Sequence, residues 1–271
     1  MNANETPAVE ISERSFYDRY ESLILGTTFI VLVLVIWQLV PSVFTLSKGM
    51  KLFFATPTMV VGALGDLIES GKIWPAVQFS ATAFGVGLGL SIIVALPAGV
   101  ILGRSQLIND MVDPFITSIN ATPRLVFLPL ILIWFGIGMW SVIVVVFIGA
   151  VFPLLINTYE GVKNADKLLI NVVKSYGATE WEINKLVVLP NSMPFIIAGL
   201  RLAIGRAVLG VVVAEFFGGS SKGIGVIMVR ASGTMMTPMI MFMAISLVLT
   251  GIVRAIEARF SRWRPQETKN Y

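Results

Sequence analysis

From Ser22 to Phe44 the chain runs without one charged side chain, and from Gln78 to Leu102 it does so again. A helix needs ~20 apolar residues to cross the hydrocarbon core of a bilayer. Runs of that length leave little freedom: each predicts a membrane-crossing helix. Four more follow by the same reasoning, Pro114–Gly138, Met139–Tyr159, Met193–Phe217 and Met239–Ile256. The expected fold is all-α and integral to the membrane, with about six transmembrane helices.

Composition excludes the soluble alternative. Of 271 residues, 56% are hydrophobic and 13% charged, more apolar surface than a soluble chain of this size can cover. There is no cysteine and no histidine. Disulfides, thiolate nucleophiles and imidazole bases are therefore absent, and with them most hydrolase chemistry. A net charge of +4 in a soluble protein would suggest nucleic acid. Here the basic residues flank apolar runs, so they read as orientation signals and no nucleic-acid partner is expected. With the N-terminus inside, Arg14, Arg19, Arg104, Lys163, Lys167, Lys174, Lys185, Arg254, Arg259, Arg262, Arg264 and Lys269 all fall on the inner side. The outer side holds Lys48, Lys51, Lys72, Lys222 and Arg230. Both termini are expected in the cytoplasm, on a multi-pass protein.

Residues 1–21 form an expected cytoplasmic tail. Residues 22–75 hold the first span and an extracytoplasmic connection with an amphipathic helix over Pro57–Ile68. Residues 76–258 form the core, and 259–271 a basic cytoplasmic tail. The third span carries Pro123 and Pro129, which predict a kink turned toward protein or water. Gly85/Gly89 and Gly99/Gly103 are small-xxx-small pairs suited to close helix contact. Gly218–Pro238 reads as a loop; its glycine-serine run lacks the spacing of a phosphate loop.

One polar island interrupts the apolar pattern, Asp166–Pro190, within a cytoplasmic loop over 160–190. Leu168, Leu169, Val172, Val173 and Tyr176 recur on one helical face. Asp166 is placed to cap that helix, and Gly177 to end it in the left-handed conformation. Thr179-Glu180-Trp181-Glu182 fits a capping box that starts a second helix, with Pro190 at its expected end. A short helix, a corner and another short helix, exposed between spans, make an object suited to being gripped by a soluble partner.

Polar residues inside the spans are the candidates for a solute pathway. Asn120, Thr122 and Asn157 either line it or hydrogen-bond between helices. Arg124 either attracts an anion or pairs with Glu215 or a carbonyl, and Glu215 is itself a candidate to line the pathway; Arg201 and Arg206 are further charges at or within spans.

The island resembles the cytoplasmic loop of ATP-binding-cassette importer permeases. In that pattern Glu-Ala-Ala is followed after three residues by Gly and, nine residues on, by Ile-x-Leu-Pro. Gly177 is followed after nine residues by Val187-Val188-Leu189-Pro190, while Asn171-Val172-Val173 stand where the family has Glu-Ala-Ala. Ala55-Thr56-Pro57, Leu128-Pro129-Leu130, Trp134–Gly138, Phe152-Pro153, Asn157-Thr158, Gly161, Pro194, Gly199-Leu200-Arg201, Glu215 and Gly223-Ile224-Gly225 are similar to the branch importing nitrate, taurine and alkanesulfonates. The resemblance implies the type I importer permease fold, with a coupling helix between the fourth and fifth spans. It implies a bacterial inner-membrane location and a second permease copy. It also implies two cytosolic ATPase subunits that bind ATP and Mg²⁺ (this chain holding no cofactor or metal), and an extracytoplasmic solute-binding protein. On this resemblance Asn171, Val172, Val173, Tyr176, Gly177, Ala178, Trp181, Leu189 and Pro190 are the expected ATPase-coupling residues, some of them packing on the permease itself. No catalytic residue is expected. The alternative, a stand-alone secondary transporter or channel for small anions, predicts midplane acids and inverted repeats, and neither is evident.

Overall fold

The computed structural model describes residues 16–43, 47, 54–123, 126–217, 220–233 and 236–260, all helix, turn or connection. Arg124 and the tail beyond residue 260 lie outside the described residues, as does the start of the N-terminal tail.

Three helices make the core: α3 (Ile73–Arg104), α6 (Met139–Lys163) and α9 (Leu189–Phe216). In a bilayer, lipid tails are as apolar as leucine, so helices associate by close packing and hydrogen bonds. The buried face of α3 is accordingly built from small residues, with Ser80, Ala83, Gly87, Ser91, Ala95 and Gly99 recurring every three or four positions. A β-carbon at Gly87 would lie 2.6 Å from Val146, one at Gly99 2.6 Å from Thr158, and one at Gly103 2.5 Å from Val162. These pairings advance together along both chains, so α3 and α6 run parallel. Ser91 Oγ donates to the Gly87 carbonyl at 2.8 Å and lies 3.2 Å from that of Phe147 on α6. Of the two predicted glycine pairs, Gly99/Gly103 makes the contact. Gly85 and Gly89 face open space.

The opposite face of α6 receives α9 antiparallel. Gly149 meets the Arg206 backbone, Gly199 meets Asn157, and Gly210 meets Val146. Helix α6 is thus covered on two sides and is the most buried of the long helices.

Because α3 and α6 are parallel, residues 105–138 must return across the bundle. The expected single span Pro114–Gly138 is instead two pieces, α4 (Gln106–Ala121) and α5 (Leu128–Phe135). Ser105 caps α4 by accepting from the Ile108 N–H at 3.4 Å. The break follows from Pro123: its ring disfavours helical backbone in the residue before it, and Thr122 is extended at φ −70°, ψ 131°.

Helix α1 (Phe16–Val43) stands apart, with no residue of its apolar window buried. It is tied at one end, where Trp37 Nε1 donates to the Ala55 carbonyl at 2.9 Å. There the amphipathic α2 (Pro57–Glu69) buries Ala63 and Leu67. Its cap Thr56 accepts from Met59. The expected loop Gly218–Pro238 contains a helix, α10 (Ile224–Ser232), before α11 (Met236–Phe260). Among the described residues four helices are long and apolar enough to cross a membrane, and α11 carries a shorter apolar stretch, Met236–Ile252. The expected set of about six membrane helices stands, the third of them interrupted where Pro123 predicted a kink.

Candidate functional site

The polar island folds into two short helices joined at a corner. Asp166 Oδ1 accepts from the N–H of Leu168 at 2.8 Å and of Leu169 at 3.4 Å, starting α7 (Lys167–Ser175). At its end the Gly177 N–H bonds to the Lys174 carbonyl (2.9 Å) and the Ala178 N–H to the Val173 carbonyl (3.3 Å). This double closure is the Schellman motif, which needs a left-handed residue, and Gly177 has φ +80°. Thr179 then begins α8 (Glu180–Ile183). Its hydroxyl accepts from the Glu182 N–H at 3.3 Å, while its own N–H reaches the Glu182 carboxylate at 2.8 Å.

The second helix does not end at Pro190, contrary to the sequence expectation. It passes through a wide π turn, Asn184–Val188, and continues as α9. A proline ring strikes the carbonyl four residues before it in a regular helix; the wider turn makes room. The combined helix Glu180–Phe216 has 37 residues. At 1.5 Å per residue it is about 55 Å long, against ~30 Å of hydrocarbon. It is thus longer than the hydrocarbon is thick, and the charged residues Glu180, Glu182 and Lys185 gather at one end.

The corner has two sides. Val173 and Ala178 turn inward with Ile170 onto a small core of Val162, Ala165, Ile183 and Val188. Val172, Tyr176 and Trp181 turn outward, Tyr176 88% and Trp181 72% exposed. Asn171 and Gly177 are exposed too, Leu189 is half-buried, and Pro190 lines an apolar groove with Leu169 and Val172. Electrostatics fasten the corner to the bundle. Arg104, at the end of α3, pairs with Glu180, and Lys174 Nζ lies 3.1 Å from the same carboxylate. Lys174 and Arg104 hold the Glu180 carboxyl below its ordinary range. Hydrogen bonds from Thr179 do the same for Glu182.

The predicted pathway residues separate into three places. Asn157 packs between α6 and α9 and donates to the Pro153 carbonyl at 2.8 Å. Glu215 is 1% exposed at the end of α9 far from the corner. Ser80 of α3 donates to its carboxylate, the Gly225 N–H donates to it at 2.7 Å, and the Ile224 N–H reaches the Ser80 hydroxyl at 3.0 Å. This knot pins the start of α10 to α3 and α9. A β-carbon at Gly223 would collide with the carboxylate. Asn120 and Thr122 instead share a cavity of about 300 Å³ with Pro123, Arg206, Leu209 and Gly210. Arg206 received no role from sequence reasoning; its place on the exposed stripe Leu202, Arg206, Leu209 was the available signal. Among the described residues no three His, Cys, Asp or Glu side chains gather where a metal ion would sit.

A helical core sealed by small residues, with helices long and apolar enough to cross a membrane and a capped polar corner at one end, defines a membrane-spanning helical protein. Residues 87–262 match the family described as binding-protein-dependent transport system inner membrane component. A protein of Methanocaldococcus jannaschii named as an ABC transporter permease is 32% identical over 249 residues, 90% of this chain and 93% of its own. A Bacillus subtilis protein named as an aliphatic sulfonates transport permease is 30% identical over 239 residues, 86% of this chain and 84% of its own. The crystal structure of an amino acid ABC transporter with histidines shares the fold at a TM-score of 0.56 and 17% identity, over 73% of this chain and 97% of that one. The chain belongs to the binding-protein-dependent transport system inner membrane component family, and it is the permease subunit of an ABC importer.

Proposed function

We propose that this permease carries a small organic or inorganic anion of the sulfonate type, and that ATPase subunits drive it through alternating access by gripping the corner at Gly177. The observation that carries the coupling role is the outward apolar face of Val172, Tyr176 and Trp181. It lies on a corner held rigid by two caps and an ion-paired Glu180. Exposed aromatic side chains on a preformed scaffold are what a soluble partner's groove buries with most gain. With Asn171 standing where the resembled family pattern has glutamate, this contact carries an uncharged amide there beside the apolar face. Two ATPase subunits then sit on the corner side of the membrane and hold ATP and Mg²⁺. A solute-binding protein docks at the opposite end. Both termini face the cytoplasm, because α1 begins and α11 ends at the corner end of the bundle.

A second copy of the chain completes the pathway. Helix α4 has no buried residue, and α9 exposes Leu202 and Leu209. Two copies facing each other cover both faces. The solute class is supported by the Bacillus subtilis relative, whose name specifies aliphatic sulfonates.

The test is reconstitution. The permease, its genomically adjacent ATPase and the binding protein are placed in liposomes with ATP inside. Uptake of radiolabelled taurine or butanesulfonate is measured with and without the binding protein. ATP-dependent uptake that requires the binding protein is the expected result. Uptake of the solute by the permease alone overturns the reading.

A further inference from the structure

We infer that Arg206, with the Asn120–Thr122 turn, forms an oxyanion station halfway through the membrane, built to hold the sulfonate or carboxylate head of a passing solute. The inference rests on the permease reading and deepens it by assigning the residue that recognises charge.

Three observations combine. First, depth: Arg206 lies ten residues, ~15 Å, from the Phe216 end of α9; with that end, opposite the charged Glu180 end, at the hydrocarbon boundary, it sits near the midplane of ~30 Å of hydrocarbon. Second, direction: its backbone packs on Gly149, but its side chain points off the exposed stripe of α9, between Leu202 and Leu209. No acidic side chain among the described residues forms an ion pair with it. A charge at that depth facing lipid is strongly disfavoured, so this face is lined by water or protein in the assembled transporter. Third, company: the cavity beside Arg206 is closed on its other side by the interrupted passage, where helix α4 stops and Thr122 becomes extended. Broken backbone at membrane depth persists only where protein or a water-filled cavity covers it. Asn120, which lines the same cavity, adds an amide with both donor and acceptor groups. A guanidinium fork matches the oxygens of a sulfonate or carboxylate, and its fixed charge never titrates in the physiological range.

The chain has no cysteine, so single thiols can be introduced without background. Leu209→Cys, and separately Asn120→Cys, are prepared in the assembled transporter in membranes. Each is treated with the anionic sulfonatoethyl methanethiosulfonate and with its cationic trimethylammonium counterpart. The expected result is faster modification by the anion, with the anion-to-cation rate ratio falling roughly ten-fold when Arg206→Gln is added, as unit charges a few ångströms apart in a partly hydrated site imply. Arg206→Lys keeps most of the ratio. A ratio unmoved by Arg206→Gln at both thiols overturns the inference, and so does failure of both reagents to react at both thiols, which would close this face to water. Copurification of the ATPase is followed in the same membranes. An unchanged ratio with the ATPase still bound removes Arg206 and leaves the permease reading standing; a dissociated ATPase counts against that reading instead.

Discussion

The seam between α3 and α6 and the corner around Gly177 use apolar residues to opposite ends. Along the seam, glycine, alanine and serine bring two backbones so close that no β-carbon fits at Gly87, Gly99 or Gly103. At the corner, Tyr176 and Trp181 are held away from the chain's own core by caps and an ion pair. The seam is finished within one chain, whereas the corner, on the proposed function, is complete only against another. A residue's size tells the two apart: small residues close a contact already made, and large exposed ones anticipate a contact to come.

The contrast breaks most visibly at the seam. Gly99→Leu forces a side chain into Thr158 and the α6 backbone, an overpacking worth about 3 kcal/mol. Thermal unfolding in detergent is expected to show a large loss, with little folded protein recovered from membranes. Gly85→Leu, four turns back on α3 and facing open space, leaves the melting temperature unchanged. Equal effects at both positions would dissolve the distinction between sealed and open faces of α3.

The corner predicts the reverse pattern. Tyr176→Ala with Trp181→Ala is expected to leave the isolated permease as stable as before, since neither side chain is buried. Binding of the ATPase should weaken by about 2 kcal/mol or more, roughly 30-fold in Kd, as for aromatic anchors at other interfaces. Surface plasmon resonance on nanodisc-held permease reads the binding, and thermal unfolding reads the stability. Val173→Ala, whose side chain packs inward, is expected to lower stability with less effect on binding.

Gly177 is subtler. A β-carbon there meets no atom, so the penalty is conformational alone. At φ +80° an alanine is disfavoured by about 1 kcal/mol. The expected consequence is a several-fold drop in ATPase affinity with an unaltered melting temperature, because the strain falls on the corner and not on the bundle.

These outcomes follow how well each region could be read from residues alone. The corner was legible because caps are local: Asp166, Gly177 and the Thr179–Glu182 pair each act within four residues, and each stands where expected. The long rods were legible from apolar length. Pro190 misled, since the π turn that absorbs it has no sequence mark of its own. The interrupted passage was foreshadowed by Pro123, but its position depended on which helices run parallel, a tertiary fact. The knot around Glu215 joins Ser80 to Gly225 across 145 positions of chain, and nothing local announces it. Asn157 shows the limit most simply. A polar residue in a span serves a pathway or a helix contact, and its packing against Gly199 is a tertiary fact that no local pattern announces.

The smallest expected effect tests how the corner depends on pH. Thr179 donates its backbone N–H and its hydroxyl to the Glu182 carboxylate, both at 2.8 Å, and so holds that carboxyl below its ordinary value. A carboxyl depressed in the folded state stabilises it above the unfolded value, ~4.3 for glutamate, and that contribution is lost as pH falls through the lower folded value. From pH 8 down to about 5 the cap should hold at constant strength, and below about 4 it should fade. Hydrogen exchange of the peptide over residues 176–190, normalised for intrinsic rates, follows it in the intact protein. In Glu182→Gln the amide still accepts from Thr179 but no longer titrates, so protection should start lower and stay flat with pH. The contribution of Glu180, held low by Lys174 and Arg104, fades in the same acid range, and Glu180→Gln separates it from that of Glu182. A wild-type corner whose protection falls between pH 7 and 5 would mean that neither carboxyl governs it.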